Sequence, residues 1–388
     1  MKKVLLATLI VVTVEAKELA TYLDECNPKS NTVCLELREG FSKGMSSFRQ
    51  GNYKEAVKYF NLSIEKAEKE KLQPANFYNN LGLAYNNMKS YDNALKYFKK
   101  NIEYETKKSD SKQDKVLLSV VYGNMGLAYQ GKRKLSKAIE SAWKSLDIVT
   151  KLGDESKIAQ RENNLGILYR DNKEYDKAIE HYKKFMEIKL KEIPKDYRMI
   201  LAVYSDIAGS YQDKKEFDTA LTFSEKRLTI KKKIFPKNHP EIINEYLFKG
   251  YINFQKKDYD EAKKAYEQSL KIATTRVKEN DISLANAYIG IAKCHQEERE
   301  FKRAIELYKK VLDIYINKLE KGKGHPAIAT TYNSLGALYV VSKKPKKGME
   351  FYAKALAMAR EFFDEKHMIV QMILQNMVWA EEMIKKEK

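Results

Sequence analysis

The residue types that usually carry chemistry are few in this sequence, and their spacing fits amide recognition better than catalysis. Three cysteines cannot build a disulfide scaffold or a four-cysteine zinc site. The five histidines (His181, His239, His295, His325 and His367) are scattered, and no HExxH pair of metal ligands occurs. His239 and His325 precede prolines, where a turn or capping role outweighs catalysis. No Gly-rich phosphate loop and no nucleophile elbow is present. The sequence therefore reads as a non-enzyme with no catalytic residue, metal or cofactor. Asparagine is the exception. Asn80, Asn124 and Asn164 each stand two residues before a glycine, in three segments of similar pattern. An amide side chain both donates and accepts, so a row of them can grip a peptide backbone in both directions.

Whether they form a row depends on the elements that carry them. At 388 residues the length alone suggests two or three domains, and 43% hydrophobic residues suffice for a continuous core. Glycine (16) and proline (7) are scarce, which excludes collagen, Pro-rich linkers and turn-dense β sandwiches. Abundant lysine, glutamate, alanine and leucine favour helix. From about residue 40 an aromatic–small–aromatic pattern recurs, as in Tyr53-Ala56-Phe60, Tyr91-Ala94-Phe98, Tyr175-Ala178-Tyr182 and Tyr259-Ala262-Tyr266. The small residues at 56, 94, 138, 178, 220, 262, 304 and 348 lie about 42 apart. Ahead of them come Leu81-Gly82-x-x-Tyr85, Met125-Gly126-x-x-Tyr129, Leu165-Gly166-x-x-Tyr169 and Leu335-Gly336-x-x-Tyr339, with more divergent versions at Gly44, Ala208, Gly250 and Ala292. This is the pattern of a helical hairpin. Glycine on one helix and the small residue on the other allow close approach, and the aromatics are expected to fill the wedge between neighbouring hairpins. One hairpin cannot bury its apolar face alone, so the units must stack as a solenoid.

The pattern resembles the tetratricopeptide repeat family over residues 37–362, as eight units. The period of about 42 exceeds the family's usual 34 or so and is similar to the repeats of kinesin light chains and their bacterial relatives. Proline at 240 and 326 sits where a first helix would begin, at a position that needs no N–H. The resemblance implies an all-α, right-handed superhelical α-solenoid of about eight hairpins. Residues 363–388 would add a C-terminal capping helix and tail. It also implies that the first helix of each hairpin lines a concave groove for a protein or peptide partner. The positions six before, two before, one after and five after each glycine share one helical face. They yield Asn76, Asn80 and Leu83, then Asn124 and Leu127, then Gln160, Asn164, Ile167 and Asp171. The next two units turn acidic with Asp206 and Asp213 and aromatic with Phe248 and Tyr251. On this reading the three amides are exposed in the free protein and hold the peptide backbone. Leu83, Leu127 and Ile167 then offer apolar pockets, and the aspartates take basic side chains.

The first sixteen residues read as a signal peptide. Lys2-Lys3 precede the apolar run of residues 4–14, and Val14-Glu15-Ala16 suits a cleavage site. Eleven apolar residues are too few for a span, which takes about 20. The mature chain, expected to begin at Lys17, would thus carry no membrane span and be periplasmic or extracellular. The alternative is a cytoplasmic protein whose N-terminus is a buried helix. In an oxidising compartment Cys26 and Cys34, in the segment 17–36 and separated by turn-forming Asn27-Pro28, are candidates for a disulfide. Cys294 lies in an amphipathic pattern and reads as a buried core thiol.

A formal charge of +19 invites nucleic acid or another anionic polymer as partner. Only 11 of the 72 basic residues are arginine, the better bidentate reader of phosphate, and the lysines are spread as doublets along the whole length. Evenly spread lysine usually means solvated helix faces. The leading expectation is therefore an exported scaffold that binds a protein or peptide, with no small-molecule substrate and with self-association left open. A cytoplasmic peptide-responsive regulator and an anionic-polymer binder are the alternatives.

Overall fold

The computed structural model describes residues 32–386, apart from 71, 73, 109–113, 193–195, 276–281 and 319–325. The expected signal peptide and the Cys26–Cys34 bridge lie outside the described residues. Among those described there are seventeen α-helices and no strand. In chain order they are α1 (Thr32–Arg49), α2 (Tyr53–Lys69), α3 (Ala75–Asn87), α4 (Tyr91–Thr106), α5 (Lys115–Gly131), α6 (Leu135–Leu152), α7 (Glu155–Asp171), α8 (Tyr175–Lys189) and α9 (Tyr197–Asp213). Then follow α10 (Phe217–Ile234), α11 (Pro240–Lys256), α12 (Tyr259–Thr274), α13 (Ile282–Glu297), α14 (Phe301–Lys318), α15 (Pro326–Val341), α16 (Pro345–Arg360) and α17 (Met368–Lys386). No helix among the described residues is long and apolar enough to cross a membrane.

The chain forms two compact units, Met1–Ser210 and Tyr211–Lys388. In the first, α1/α2, α3/α4, α5/α6 and α7/α8 are antiparallel hairpins, each stacked on the next. In the second, α10 packs on α11, α11/α12, α13/α14 and α15/α16 are hairpins, and α17 lies against α15 and α16. Each unit is all-α and of solenoid type.

Every hairpin turn is closed the same way. The residue seven beyond the glycine or alanine anchor adopts positive φ, and it is Gly51 in the first hairpin but Lys89, Arg133, Lys173, Lys215, Lys257, Arg299 and Lys343 in the rest. The next residue's N–H then reaches back five residues to a carbonyl, as in Asn52 to Ser47 at 2.8 Å, Ser90 to Tyr85 at 2.9 Å and Lys344 to Tyr339 at 2.9 Å. This αL closure satisfies the last carbonyls of the first helix.

The anchors differ from expectation in one respect. The second aromatic of the pattern does not simply fill the wedge between hairpins; it lies on its own hairpin's glycine. A Cβ added at Gly82, Gly166 or Gly336 would come within 2.5 Å of the ring of Phe98, Tyr182 or Tyr352. Those three rings are fully buried. Tyr266 does both jobs, meeting Gly250 within its hairpin and Gly290 on the next. A second ring contact also recurs. The tyrosine three beyond the anchor stacks on the ring twelve residues later, as Tyr85 on Tyr97 (5.6 Å), Tyr211 on Phe223 (5.7 Å) and Tyr339 on Phe351 (5.1 Å). Lys100, Lys226 and Lys354 lie over Tyr97, Phe223 and Phe351, so part of the lysine excess covers ring faces.

Candidate functional site

The asparagines sit where α3, α5 and α7 run side by side in the first unit. Each helix carries a two-residue step just before its Leu-Gly or Met-Gly: Asn79-Asn80, Gly123-Asn124 and Asn163-Asn164. The Asn124 Nδ2 donates to Asn79 Oδ1 at 2.9 Å, tying the second residue of one step to the first residue of the preceding step. In the second unit Asn376 of α17 donates to Asn333 of α15 at 2.9 Å in the same manner. The bond is thus a property of how consecutive first helices meet.

The expectation of exposed amides is corrected here. Asn80, Asn124 and Asn164 are 1%, 3% and 6% exposed. The helical period does place them on one face, but the neighbouring first helix packs against that face and turns it into a seam. Among the described residues Asn80 has no hydrogen-bond partner at either Nδ2 or Oδ1, and Asn164 Oδ1 and Asn163 Oδ1 have none. Leu83 is fully buried among Ala94, Phe98, Leu117 and Val121, where it joins the second hairpin to the third instead of lining a pocket. Ile167 is buried too, while Leu127 and Gln160 are half-buried. The side chain of Asn76 lies outside the described residues.

The acidic residues are largely spoken for. Asp206 is buried and paired with Arg170 at 3.3 Å, so it is not an open receptor for a basic side chain. Asp171 is exposed and accepts from Gln130 Nε2 at 2.6 Å. In the second unit Asp213 is exposed, whereas Phe248 and Tyr251 are half-buried, with the Arg227 guanidinium 5.4 Å above the Phe248 ring.

Sequence reasoning missed Arg161, three residues before Asn164 on α7. It is 2% exposed, its Nε has no partner among the described residues, and its Nη2 donates to Ser119 Oγ at 3.5 Å. Burial pulls the guanidinium down to about 10. For the asparagine steps the sequence signal was the doublets, since Asn-Asn precedes Leu-Gly twice, with Gly-Asn in the repeat between them.

Two other clusters of titratable side chains pair within the protein. His181 and Glu162 are buried with Nδ1 and Oε2 2.5 Å apart, and the imidazole stacks on Tyr169. His295, Glu298 and Glu300 bring one ligand atom each within 4.8 Å of one another. Lys263 already bonds Glu298 at 2.7 Å and Arg303 bonds Glu300 at 2.8 Å, so those carboxylates meet cations of the protein. Cys294 is fully buried and unbridged, and burial pushes its thiol up to about 12, far from nucleophilic use at neutral pH.

Comparison with known proteins agrees with this architecture. Family models described as tetratricopeptide repeat match residues 75–107, 117–191, 199–275, 242–317 and 283–361, together more than half of the chain. No curated protein matches the sequence significantly. Among solved structures, the C-terminal part of a TPR repeat-containing protein from Cytophaga hutchinsonii is 22% identical, covering 71% of this chain and 95% of its own, with a TM-score of 0.51. The apo form of the quorum sensor NprR from B. thuringiensis is 11% identical, covering 88% of this chain and 92% of its own, with a TM-score of 0.52. The nearly identical TPR-like repeats of a Podosopora anserina kinesin light chain are 18% identical, covering 52% and 95%, with a TM-score of 0.45. At these identities the first two likenesses are likenesses of fold.

Proposed function

The chain belongs to the tetratricopeptide repeat family, and we propose that it is a non-enzymatic scaffold that holds an extended peptide or partner segment along the first-helix seam of its first unit. One observation carries this reading. Asn80 is 1% exposed, yet among the described residues neither amide atom has a partner, and Asn163 and Asn164 on α7 each leave an acceptor unmet. Buried polar groups in native proteins almost always bond to protein, water or ligand. A peptide backbone supplies an N–H and a C=O at each residue, which is the complement such amides need. Because adjacent helices cover the seam, binding requires the hairpins to part slightly and reclose on the guest.

A randomised peptide array tests the reading. Wild type should retain a subset of peptides at both low and high salt, because amide recognition does not depend on counterion release. Asn80→Leu should lose that subset. Retention that vanishes with salt, or that is the same for the variant, would overturn it.

The same proposal places the protein outside the cytoplasm, on the strength of residues 1–16. N-terminal sequencing of the protein from an exported fraction should begin at Lys17, with Cys26 and Cys34 bridged. A mature chain beginning at Met1 would return it to the cytoplasm.

A further inference from the structure

The last described helix, α17, is placed as the first helix of a further hairpin. Asn376 bonds Asn333 of α15 as Asn124 bonds Asn79, and Asn124 stands two residues before its anchor glycine. The matching anchor on α17 is Val378, one repeat length beyond Gly336. Met377-Val378 thus stands where Leu335-Gly336 stands in the preceding repeat.

Across that anchor α17 is open. On α15 the anchor face is closed, for Ala329, Asn333 and Val340, flanking Gly336 on one side of the helix, are all buried. The same positions on α17 are Gln371, Gln375 and Glu382, and all three are exposed. Val378 itself is 57% exposed and Met368 78%, with Met372 and Trp379 exposed beside them. Residues 367–380 contain no Asp, Glu, Lys or Arg, although 32% of the chain is charged. The outer face of a terminal repeat is ordinarily polar, and an uncharged face of this kind marks an interface.

The hairpins indicate what fits there. In each, the second helix runs antiparallel to the first and crosses its anchor. At Gly336 the cover is close, since an added Cβ would meet the Tyr352 ring at 2.5 Å. Valine at 378 forbids that seat, so the helix covering α17 must lie further off. A two-fold axis at Gln375 supplies one, because it lays a second α17 antiparallel to the first. Met372 then faces Val378 of the second copy. Gln375 meets its own copy, and an amide both donates and accepts. Lys385 and Lys386 come beside the turn that holds Asp364 and Glu365, of which Glu365 also pairs with Arg360 at 2.7 Å. A parallel pairing would instead set acid against acid and lysine against lysine.

We propose that the chain forms a two-fold dimer through α17, with the second copy's α17 in the place of a second helix. This surface belongs to the second unit and owes nothing to the seam of the first.

Light scattering of the full chain over a concentration series tests it. Wild type should reach twice the chain mass. Val378→Lys and Met372→Lys, both at exposed positions, should keep the helical circular dichroism of wild type and raise the dimer dissociation constant by about tenfold or more. Lys385→Glu with Lys386→Glu should also weaken the dimer, a loss that a parallel pairing, with like charges already facing, would not show. A wild type that stays monomeric throughout, or Val378→Lys as dimeric as wild type, would overturn the proposal. Charge reversal without effect would overturn the antiparallel pairing.

Discussion

Asn124 and Asn79 are hydrogen-bonded at 2.9 Å between two hairpins, and Asn376 and Asn333 repeat that bond in the other unit. The recurrence assigns the bond to the stacking of first helices, so its loss should register as lost stability. Asn79→Ala leaves the Asn124 donor buried and unmet, which should cost about 1–3 kcal/mol. Urea unfolding of the first unit's single and double variants (Asn79→Ala, Asn124→Leu) checks this. A double variant as unstable as the sum of the singles would mean that the bond contributes nothing.

Turn closure offers the opposite sign. Lys89, Lys173 and Lys257 hold φ of 59°, 63° and 66°, a conformation that disfavours any residue with a Cβ. Gly51 occupies the equivalent place in the first hairpin at φ 80°. Replacing each lysine by glycine should stabilise by roughly 0.5–1 kcal/mol after glycine's own entropy cost. Gly51→Ala should destabilise. Thermal melts of the single variants and of their combination decide it.

Two glycines in the first unit should behave differently under the same substitution. Gly166→Ala would press a methyl to 2.5 Å from the buried Tyr182 ring, whereas Gly123→Ala meets nothing nearer than 3.6 Å. The first change should lose about 1–3 kcal/mol by overpacking, while the second should be neutral or slightly stabilising. Equal melting temperatures would contradict the placement of the ring on the glycine.

Acid should weaken one helix start in particular. The Lys157 ammonium, followed by the Lys157 backbone N–H, holds the Asp154 carboxyl below its ordinary range. The folded state binds this proton less readily than the unfolded chain does. The cap's contribution is therefore complete at neutral pH and disappears as pH falls through the carboxylate range to the lowered folded value. Asp154→Ala should cost about 1 kcal/mol at neutral pH, and the gap from wild type should close in acid.

The hairpins were readable from the sequence because a glycine under a ring recurs at one spacing, as Gly82-Phe98, Gly166-Tyr182 and Gly336-Tyr352. The left-handed turns were not, since lysine at 89, 173 and 257 carries no sign of positive φ, where glycine would have. The seam was half readable. A helical wheel puts Asn80, Asn124 and Asn164 on one face, but it cannot say what stands opposite, and it is the next helix that buries them. Leu83 illustrates the same limit, because a groove position and an inter-hairpin core position share one face until stacking separates them. Arg161 was invisible for a different reason. One arginine among 72 basic residues gains meaning only from its burial, which the sequence does not show.

Asn80 sets stability against function most directly. Both of its amide atoms are buried without partners among the described residues, so the free protein bears an unmet desolvation cost there. Leucine is of similar size and has no polar atom, so Asn80→Leu should raise stability by about 1–3 kcal/mol. The peptide-bound state should move the other way. If a bound backbone meets both amide atoms, losing two neutral hydrogen bonds should cost about 1–3 kcal/mol of binding, or fivefold and upward. A more stable protein that binds its array-selected peptides more weakly is the combined signature expected of a residue kept for its ligand. Parallel urea unfolding and peptide titration of wild type and Asn80→Leu measure both quantities. Should the variant be less stable than wild type, Asn80 would be a structural residue, and the seam would no longer support a binding site.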